Sequence, residues 1–284
     1  MKCVDYLNLV RVRQWYKNLV IFLALFFSGN LFSAELIYLS ALGFLALCLI
    51  SSGNYIFNDL ADLKKDRNHP EKKHRPLAAG KIRPISAVFL ALLLFLLGLS
   101  LSVWLGNSFL ILVMIIILLT QAYTFFLKKI VFADILAIAT LFVLRAISGA
   151  QVINVNVSPW LILCPFFLSL FLSVGKRSAD LSFLKTKAGY TRETLKTYTL
   201  ELTNSLMLIS TTLLIISYAL YSFLSEHQNL LYSLPFALFV IFRYYYLISQ
   251  GSLIARHPEQ FIRDRSLIIG IMLWLIITTA LVYV

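Results

Sequence analysis

Charge is scarce in this 284-residue chain: only 13% of its residues are Asp, Glu, Lys or Arg, about half the share carried by a typical soluble domain. With 60% hydrophobic residues and a mean hydropathy of +0.84, that scarcity excludes one large soluble domain or two small ones. Cysteine is nearly absent. Cys3, Cys48 and Cys164 are odd in number, far apart and in no C-x-x-C spacing, which excludes a disulfide framework or a cysteine zinc site. The four histidines show no metal-ligand spacing either. A cleavable leader is not expected either: Lys2, Arg11, Arg13 and Lys17 precede an apolar run from Leu19 to Phe27, but Phe32 stands where a cleavage site before Ala34 wants a small residue. That run is read as a retained first membrane span.

What the chain does have is long apolar runs. After the first, they are centred on Leu36 to Phe57, Pro84 to Trp104, Ser108 to Phe126, Val131 to Val152, Trp160 to Val174, Leu200 to Phe223, Leu230 to Ser249 and Leu267 to Val284. Most approach the roughly 20 residues a helix needs to cross a hydrocarbon core. Backbone groups inside lipid must be satisfied internally, so helices are the expected form. The reading is an all-α integral membrane protein, residues 1–284 forming a single domain of nine transmembrane helices.

Basic residues test that count, because one missed span would flip every later loop. Of the 25 Lys and Arg, four precede the first span, eight lie in residues 59–83, two are Lys128 and Lys129, six lie in residues 176–198, and three are Arg256, Arg263 and Arg265. The alternate connections hold none, and Arg145 and Arg243 fall inside spans. The N-terminus is therefore expected in the cytoplasm and the C-terminus outside, in an inner (plasma) membrane. A net charge of +12 would suggest nucleic acid in a soluble protein, but here it follows topology. Nucleic acid is not an expected partner; anionic lipid headgroups suit part of the charge.

Eight basic residues in one loop exceed what orientation requires. The loop opens Asn58-Asp59-Leu60-Ala61-Asp62-Leu63-Lys64-Lys65-Asp66-Arg67. If the second span stays helical to Pro70, then Asp59, Asp62 and Asp66 stand at i, i+3 and i+7 within roughly a 60° arc. Carboxylates so placed repel one another unless a cation lies between them, and Mg²⁺ takes such oxygens while bridging to substrate phosphates. Lys72, Lys73 and Arg75 follow, suited to phosphate oxygens. The competing reading is a solvated helix end with aspartates paired to nearby lysines. A second long loop opens Gly175-Lys176-Arg177-Ser178-Ala179-Asp180, where Lys176 and Asp180, four apart, either pair weakly or join the first loop in lining one polar cavity on the cytoplasmic face. Tyr123 and Lys128, at the cytoplasmic end of the fourth span, and Lys17, in the aromatic and basic cluster Arg13-Gln14-Trp15-Tyr16-Lys17-Asn18, lie on the same side.

The stretch Asn58-Asp59-x-x-Asp62-x-x-x-Asp66-Arg67 resembles the first aspartate-rich motif of the UbiA superfamily of intramembrane prenyltransferases. Within it the chain is most similar to the decaprenyl-phosphate phosphoribosyltransferase branch, through Arg13-Gln14-Trp15-x-Lys17-Asn18, through Asp66-Arg67-x-His69-Pro70-x-Lys72-x-x-Arg75-Pro76-Leu77-Ala78-Ala79-Gly80, through Leu144-Arg145-Ala146-Ile147-x-Gly149, and through Gly175-Lys176-Arg177-x-Ala179-Asp180-Leu181. The resemblance implies a nine-helix bundle with Asp59, Asp62 and Asp66 as metal-binding catalytic residues for Mg²⁺. It implies Lys17, Asn58, Arg67, Lys72, Arg75, Tyr123, Lys128, Lys176, Arg177 and Asp180 as substrate-binding residues. One departure has chemical content: ordinary members carry a second Asp-x-x-x-Asp on span 6, and its first aspartate is replaced here by Lys176, followed by Arg177. Two cations in place of a carboxylate make that wall a phosphate binder. The implied substrates are 5-phosphoribosyl 1-diphosphate and a polyprenyl phosphate, in a step of cell-envelope biosynthesis. The alternatives are transfer of a prenyl group from a prenyl diphosphate to an aromatic or other small acceptor, and transport. Transport predicts charged or broken helices near the midplane in both halves, whereas the acidic groups here gather at one mouth.

Overall fold

The computed structural model describes residues 3–68, 72–184 and 193–283. Its elements are helical: α1 Cys3–Val10, a 3-10 segment Val12–Ile21, α2 Phe22–Phe27, α3 Ala34–Ala61, α4 Leu63–Arg67, α5 Pro84–Trp104, α6 Asn107–Phe125, α7 Ala133–Val152, α8 Pro159–Leu184, α9 Leu200–Leu224, α10 Leu234–Ser249, α11 Leu253–Arg256 and α12 Arg265–Tyr283, with short 3-10 turns between some of them. Among the described residues, eight helices are long and apolar enough to cross a membrane: α3, α5, α6, α7, α8, α9, a stretch Asn229–Ser249 that includes α10, and α12. The protein is thus an all-helical, multi-pass membrane protein.

The expected first span differs from the nine-helix reading. Its apolar run is only nine residues, preceded by Arg13, Lys17 and Asn18, and it forms the 3-10 segment followed by the six-residue α2 instead of one long α-helix. Polar anchoring explains the change. Asn18 is buried and gives its amide to Cys48 Sγ at 3.3 Å, while its oxygen accepts from Arg145 Nε at 2.8 Å and from Ser51 Oγ at 3.4 Å. The segment also lies close against α7: a Cβ on Gly149 would stand 1.9 Å from the carbonyl oxygen of Ile21. Only glycine tolerates that approach.

Helix starts follow local chemistry. Ser33 caps α3 by accepting from the Leu36 N–H at 3.5 Å, Thr199 caps α9 by accepting from the Leu202 N–H at 3.1 Å, and Pro84 opens α5 where no N–H is needed. The chain forms two compact units, residues 1–127 with 144–156, and residues 128–143 with 157–284; the boundary at Val143 and Leu144 falls within α7. In unit 1, α3 is central, with half of its span buried against less than a third for α5 and α6. Leu77 and Ile82, from the long loop after α4, bury with Ile56, Ala87 and Ala91. That anchoring folds the loop back toward the end of α3. In unit 2, α11 buries Ile254 and Ala255 with Val174 and Ala179 of α8, which carries the neighbouring Arg256 to the charged end of α8.

Candidate active site

In unit 1 the site grows from the last turn of α3. Tyr55 and Asp59 are one helical turn apart, so they share a face. Arg11 bonds Asp59 Oδ1 and places its guanidinium 4.9 Å from the centre of the Tyr55 ring, a cation over an aromatic face. Lys17 donates to the Tyr55 hydroxyl. Arg75 closes the arrangement: its Nη1 lies 2.9 Å from Asp59 Oδ1 and 2.7 Å from Asp66 Oδ2. Lys72 Nζ stands 3.9 Å from Asp66 Oδ1. Burial first, and then the charge of Arg11, pull Arg75 below the ordinary arginine range, against the two carboxylates that hold it up.

The three aspartates do not form one stripe along a single helix. Asp62 caps the end of α3 with φ −92° and ψ 5°, and α4 starts after it. The turn tucks Asp66 under Arg75 beside Asp59, while half-buried Asp62 lies at the bend, its carbonyl accepting from the Asp66 N–H at 2.8 Å. Asn58 accepts the Asp62 N–H at 3.0 Å through its carbonyl. Arg67 is exposed at the end of α4. His69 and Pro70 of the motif lie outside the described residues. Among those described, no group of three or more His, Cys, Asp or Glu side chains is gathered to hold a metal. A two-carboxylate set is present instead, with a guanidinium nitrogen between the two. Its donors are all hard oxygens, the kind Mg²⁺ selects, so Asp59 and Asp66 fit such an ion once Arg75 has moved.

Unit 2 contains a second constellation. Asp134, in the first turn of α7, is fully buried; its Oδ2 accepts from Arg177 Nε at 3.1 Å and Nη2 at 2.9 Å and from Thr194 Oγ1 at 3.4 Å, and its Oδ1 accepts from the Tyr198 hydroxyl at 2.9 Å. The Tyr198 oxygen in turn accepts the Phe132 N–H at 3.1 Å. Burial, with Asp134 beside it, pushes the Tyr198 phenol up to about 12. Asp180 pairs with buried Arg256, Nε to Oδ1 3.1 Å, so the end of α8 is tied to α11. Lys176 faces the next segment, where burial works against ionisation of Glu259, yet the His257 hydrogen bond and the charge of Lys176 bring its carboxyl down to about 2. Residues 185–192 of the second loop, Lys185, Lys187 and Arg192 among them, lie outside the described residues. Tyr123 lies in the last turn of α6, and Lys128 in the 3-10 turn that follows.

Sequence reasoning missed Arg11, Asp134, Arg256, Thr194 and Tyr198 as members of these constellations. Arg11 had one usable signal, its place beside the Arg13 to Asn18 cluster. Its backbone is left-handed, φ 55° and ψ 47°, a conformation that costs a non-glycine residue roughly 1–2 kcal/mol. The contacts to Asp59 and Tyr55 offset that cost.

Residues 18–256 match the UbiA prenyltransferase family. A Mycolicibacterium smegmatis protein named decaprenyl-phosphate phosphoribosyltransferase is 33% identical over 96% of this chain and 91% of its own length. A Mycobacterium tuberculosis protein of the same name is 30% identical over 94% and 90%. Among solved structures, a UbiA homolog from Archaeoglobus fulgidus bound to GPP and Mg²⁺ superposes with a TM-score of 0.74 at 19% identity, covering 99% of this chain and all of the other, which shows a shared fold. On its sequence and its architecture, the chain belongs to the UbiA prenyltransferase family and is a membrane-embedded transferase.

Proposed function

We propose that the chain transfers 5-phosphoribosyl from 5-phosphoribosyl 1-diphosphate to a polyprenyl (decaprenyl-type) phosphate, with Mg²⁺, releasing diphosphate. The supporting observation is at the end of α8, where Lys176 stands in place of the carboxylate expected of an ordinary prenyl-transferring member, a change from anion to cation that favours substrates rich in phosphate. The relatives named decaprenyl-phosphate phosphoribosyltransferase, aligned over nearly the whole chain, point the same way.

In this reading Asp59, Asp62 and Asp66 would hold the metal, with Asn58 supporting them. Mg²⁺, when bound, supplies charge neutralisation on the departing diphosphate. Lys17, Arg67, Lys72, Arg75 and Lys176 take phosphate oxygens; Arg177 does so only by leaving Asp134, so Lys176 is the stronger donor of that pair. Asp180 orients that helix end through Arg256, and Tyr123 and Lys128 contact the substrate. The bond between C1 of the ribose and the diphosphate oxygen breaks, its electron pair leaves with the diphosphate, and an oxygen of the lipid phosphate bonds to C1. That oxygen is already anionic at neutral pH, so the step needs no general base. The active-site loops are 59–83 and 176–198 of one domain. If Val12–Phe27 is counted as a crossing, ten 3-10 residues and six α-helical residues rise about 29 Å, near the ~30 Å core. The N-terminus is then cytoplasmic and the C-terminus outside the inner membrane.

The test is purified protein in lipid, given labelled phosphoribosyl diphosphate and polyprenyl monophosphate, beside prenyl diphosphates and aromatic acids. Label enters the lipid only with Mg²⁺, and Asp62→Asn loses it. Prenyl transfer without ribosylated lipid overturns the proposal.

A further inference from the structure

We propose that Arg75, backed by Arg11, serves as the site's own cation, so that free divalent metal is held off and the metal enters only together with a diphosphate. The inference deepens the proposed function and rests on its assignment of Asp59 and Asp66 to the metal.

Three observations carry it. First, Arg75 Nη1 occupies the point between the carboxylates, 2.9 Å from Asp59 and 2.7 Å from Asp66, where a bridging ion would sit. Metal and guanidinium therefore compete for one place. Second, the carboxylate charge is already matched: Asp59 and Asp66 face the guanidinium groups of Arg11 and Arg75, with Lys72 at the edge. A bare dication would add two positive charges beside three cations that already outnumber the two buried carboxylates, where like charges repel strongly. Third, the layers are ordered. The Asp59 and Asp66 side chains are each only 4% exposed, whereas those of Arg11, Arg75 and Lys72 are 20%, 27% and 32% exposed. Anything arriving from solvent meets the cations before the carboxylates.

A phosphate group suits that outer layer. Its oxygens accept from Arg75 and Lys72 in charge-assisted bonds, drawing Arg75 off Asp59 and Asp66 just as the dication arrives to replace it. The loop geometry permits the movement: Arg75 follows a single 3-10 turn at Lys72–His74, while buried Leu77 and Ile82 hold the loop's far side. Arg11 remains on Asp59 Oδ1 and keeps that carboxylate oriented. Metal and diphosphate thus bind with positive coupling, and linkage requires the coupling to be reciprocal.

The test measures Mn²⁺ binding to the full chain by electron paramagnetic resonance, with and without inorganic pyrophosphate, and pyrophosphate binding with and without Mn²⁺. The wild type is expected to bind Mn²⁺ about tenfold or more tighter with pyrophosphate present, within the usual range of coupling between sites. Arg75→Gln binds Mn²⁺ alone more tightly than the wild type, and its coupling shrinks. Arg75→Lys retains the charge and keeps Mn²⁺ off, a control that also guards against a misfolded glutamine variant. Equal Mn²⁺ affinity of the wild type with and without pyrophosphate overturns the proposal, as does unchanged affinity in a folded Arg75→Gln. Asp59→Asn separates the two levels. If it leaves Mn²⁺ binding intact, the metal assignment itself fails; if it abolishes binding while Arg75→Gln changes nothing, only the inference about Arg75 fails.

Discussion

Two Asp–Arg constellations in this protein use the same chemistry to opposite ends. At Asp134 one carboxylate receives Arg177, Thr194 and Tyr198, and the Asp134 and Arg177 side chains are 0% and 2% exposed. At Asp59 and Asp66 two carboxylates share one nitrogen of Arg75, beneath cations that reach solvent. The ratio of donors to acceptors is what differs. A carboxylate saturated by fixed donors has no capacity left for a ligand, so Asp134 acts as a fastening: it ties the first turn of α7 to α8 and to the end of the loop that leads into α9. Carboxylates that share a movable cation still have coordination to offer.

The sharpest way to break this contrast is to remove Arg177. In Arg177→Ala the Asp134 carboxylate stays buried without its counter-charge, a situation that typically costs about 3–5 kcal/mol. Unfolding of the purified protein in detergent, followed by circular dichroism, should show a loss of that order. A variant that unfolds like the wild type would mean Asp134 is not a fastening at all.

A smaller effect is expected at Tyr198. Tyr198→Phe removes the donor to Asp134 Oδ1 and the acceptor for the Phe132 N–H, a loss of about 1–3 kcal/mol if the buried groups stay unpaired. It also has a pH signature. The folded phenol titrates at about 12, above its ordinary value near 10. The folded state therefore keeps its proton longer than the unfolded chain, and stability is full below about pH 10 and falls as pH rises through about 12. That part of the alkaline slope should be missing from the Phe variant.

The two constellations were not equally legible in the sequence. Eight spans could be read because length and apolarity suffice for a helix in lipid, and the aspartate motif stood in one short stretch. The form of the first apolar run, a 3-10 segment followed by a short α-helix, was not legible because its polar residues make contacts far along the chain: Asn18 meets Cys48 and Arg145, and Ile21 meets Gly149. The break at Asp62 has no glycine or proline to announce it. Arg11 lies 48 residues from Asp59, and Arg177 and Tyr198 lie 43 and 64 residues from Asp134. Hydrophobic periodicity says nothing about such pairings. Arg177 looked like a phosphate ligand because its spacing is the same whether it faces solvent or Asp134.

Another Asp–Arg pair tests whether burial, and not bonding geometry, sets the value of these contacts. Arg243 donates to Asp264 through Nε to Oδ1 at 3.1 Å and Nη2 to Oδ2 at 2.7 Å, one nitrogen to each oxygen where Arg177 puts both on Oδ2 of Asp134, but near the surface, where ion pairs contribute little and salt screens them. Asp264 also serves the backbone, since its Oδ1 accepts the Leu267 N–H at 2.7 Å and caps the start of α12. The cap is worth about 1 kcal/mol, and asparagine serves it nearly as well. Asp264→Ala should therefore destabilise the protein by about that amount, Asp264→Asn should recover most of the loss, and Arg243→Ala should leave the unfolding midpoint almost where it was. If Arg243→Ala proves as damaging as Arg177→Ala, then fork geometry, and not the burial and saturation that set Asp134 apart from Asp59 and Asp66, governs how these pairs act.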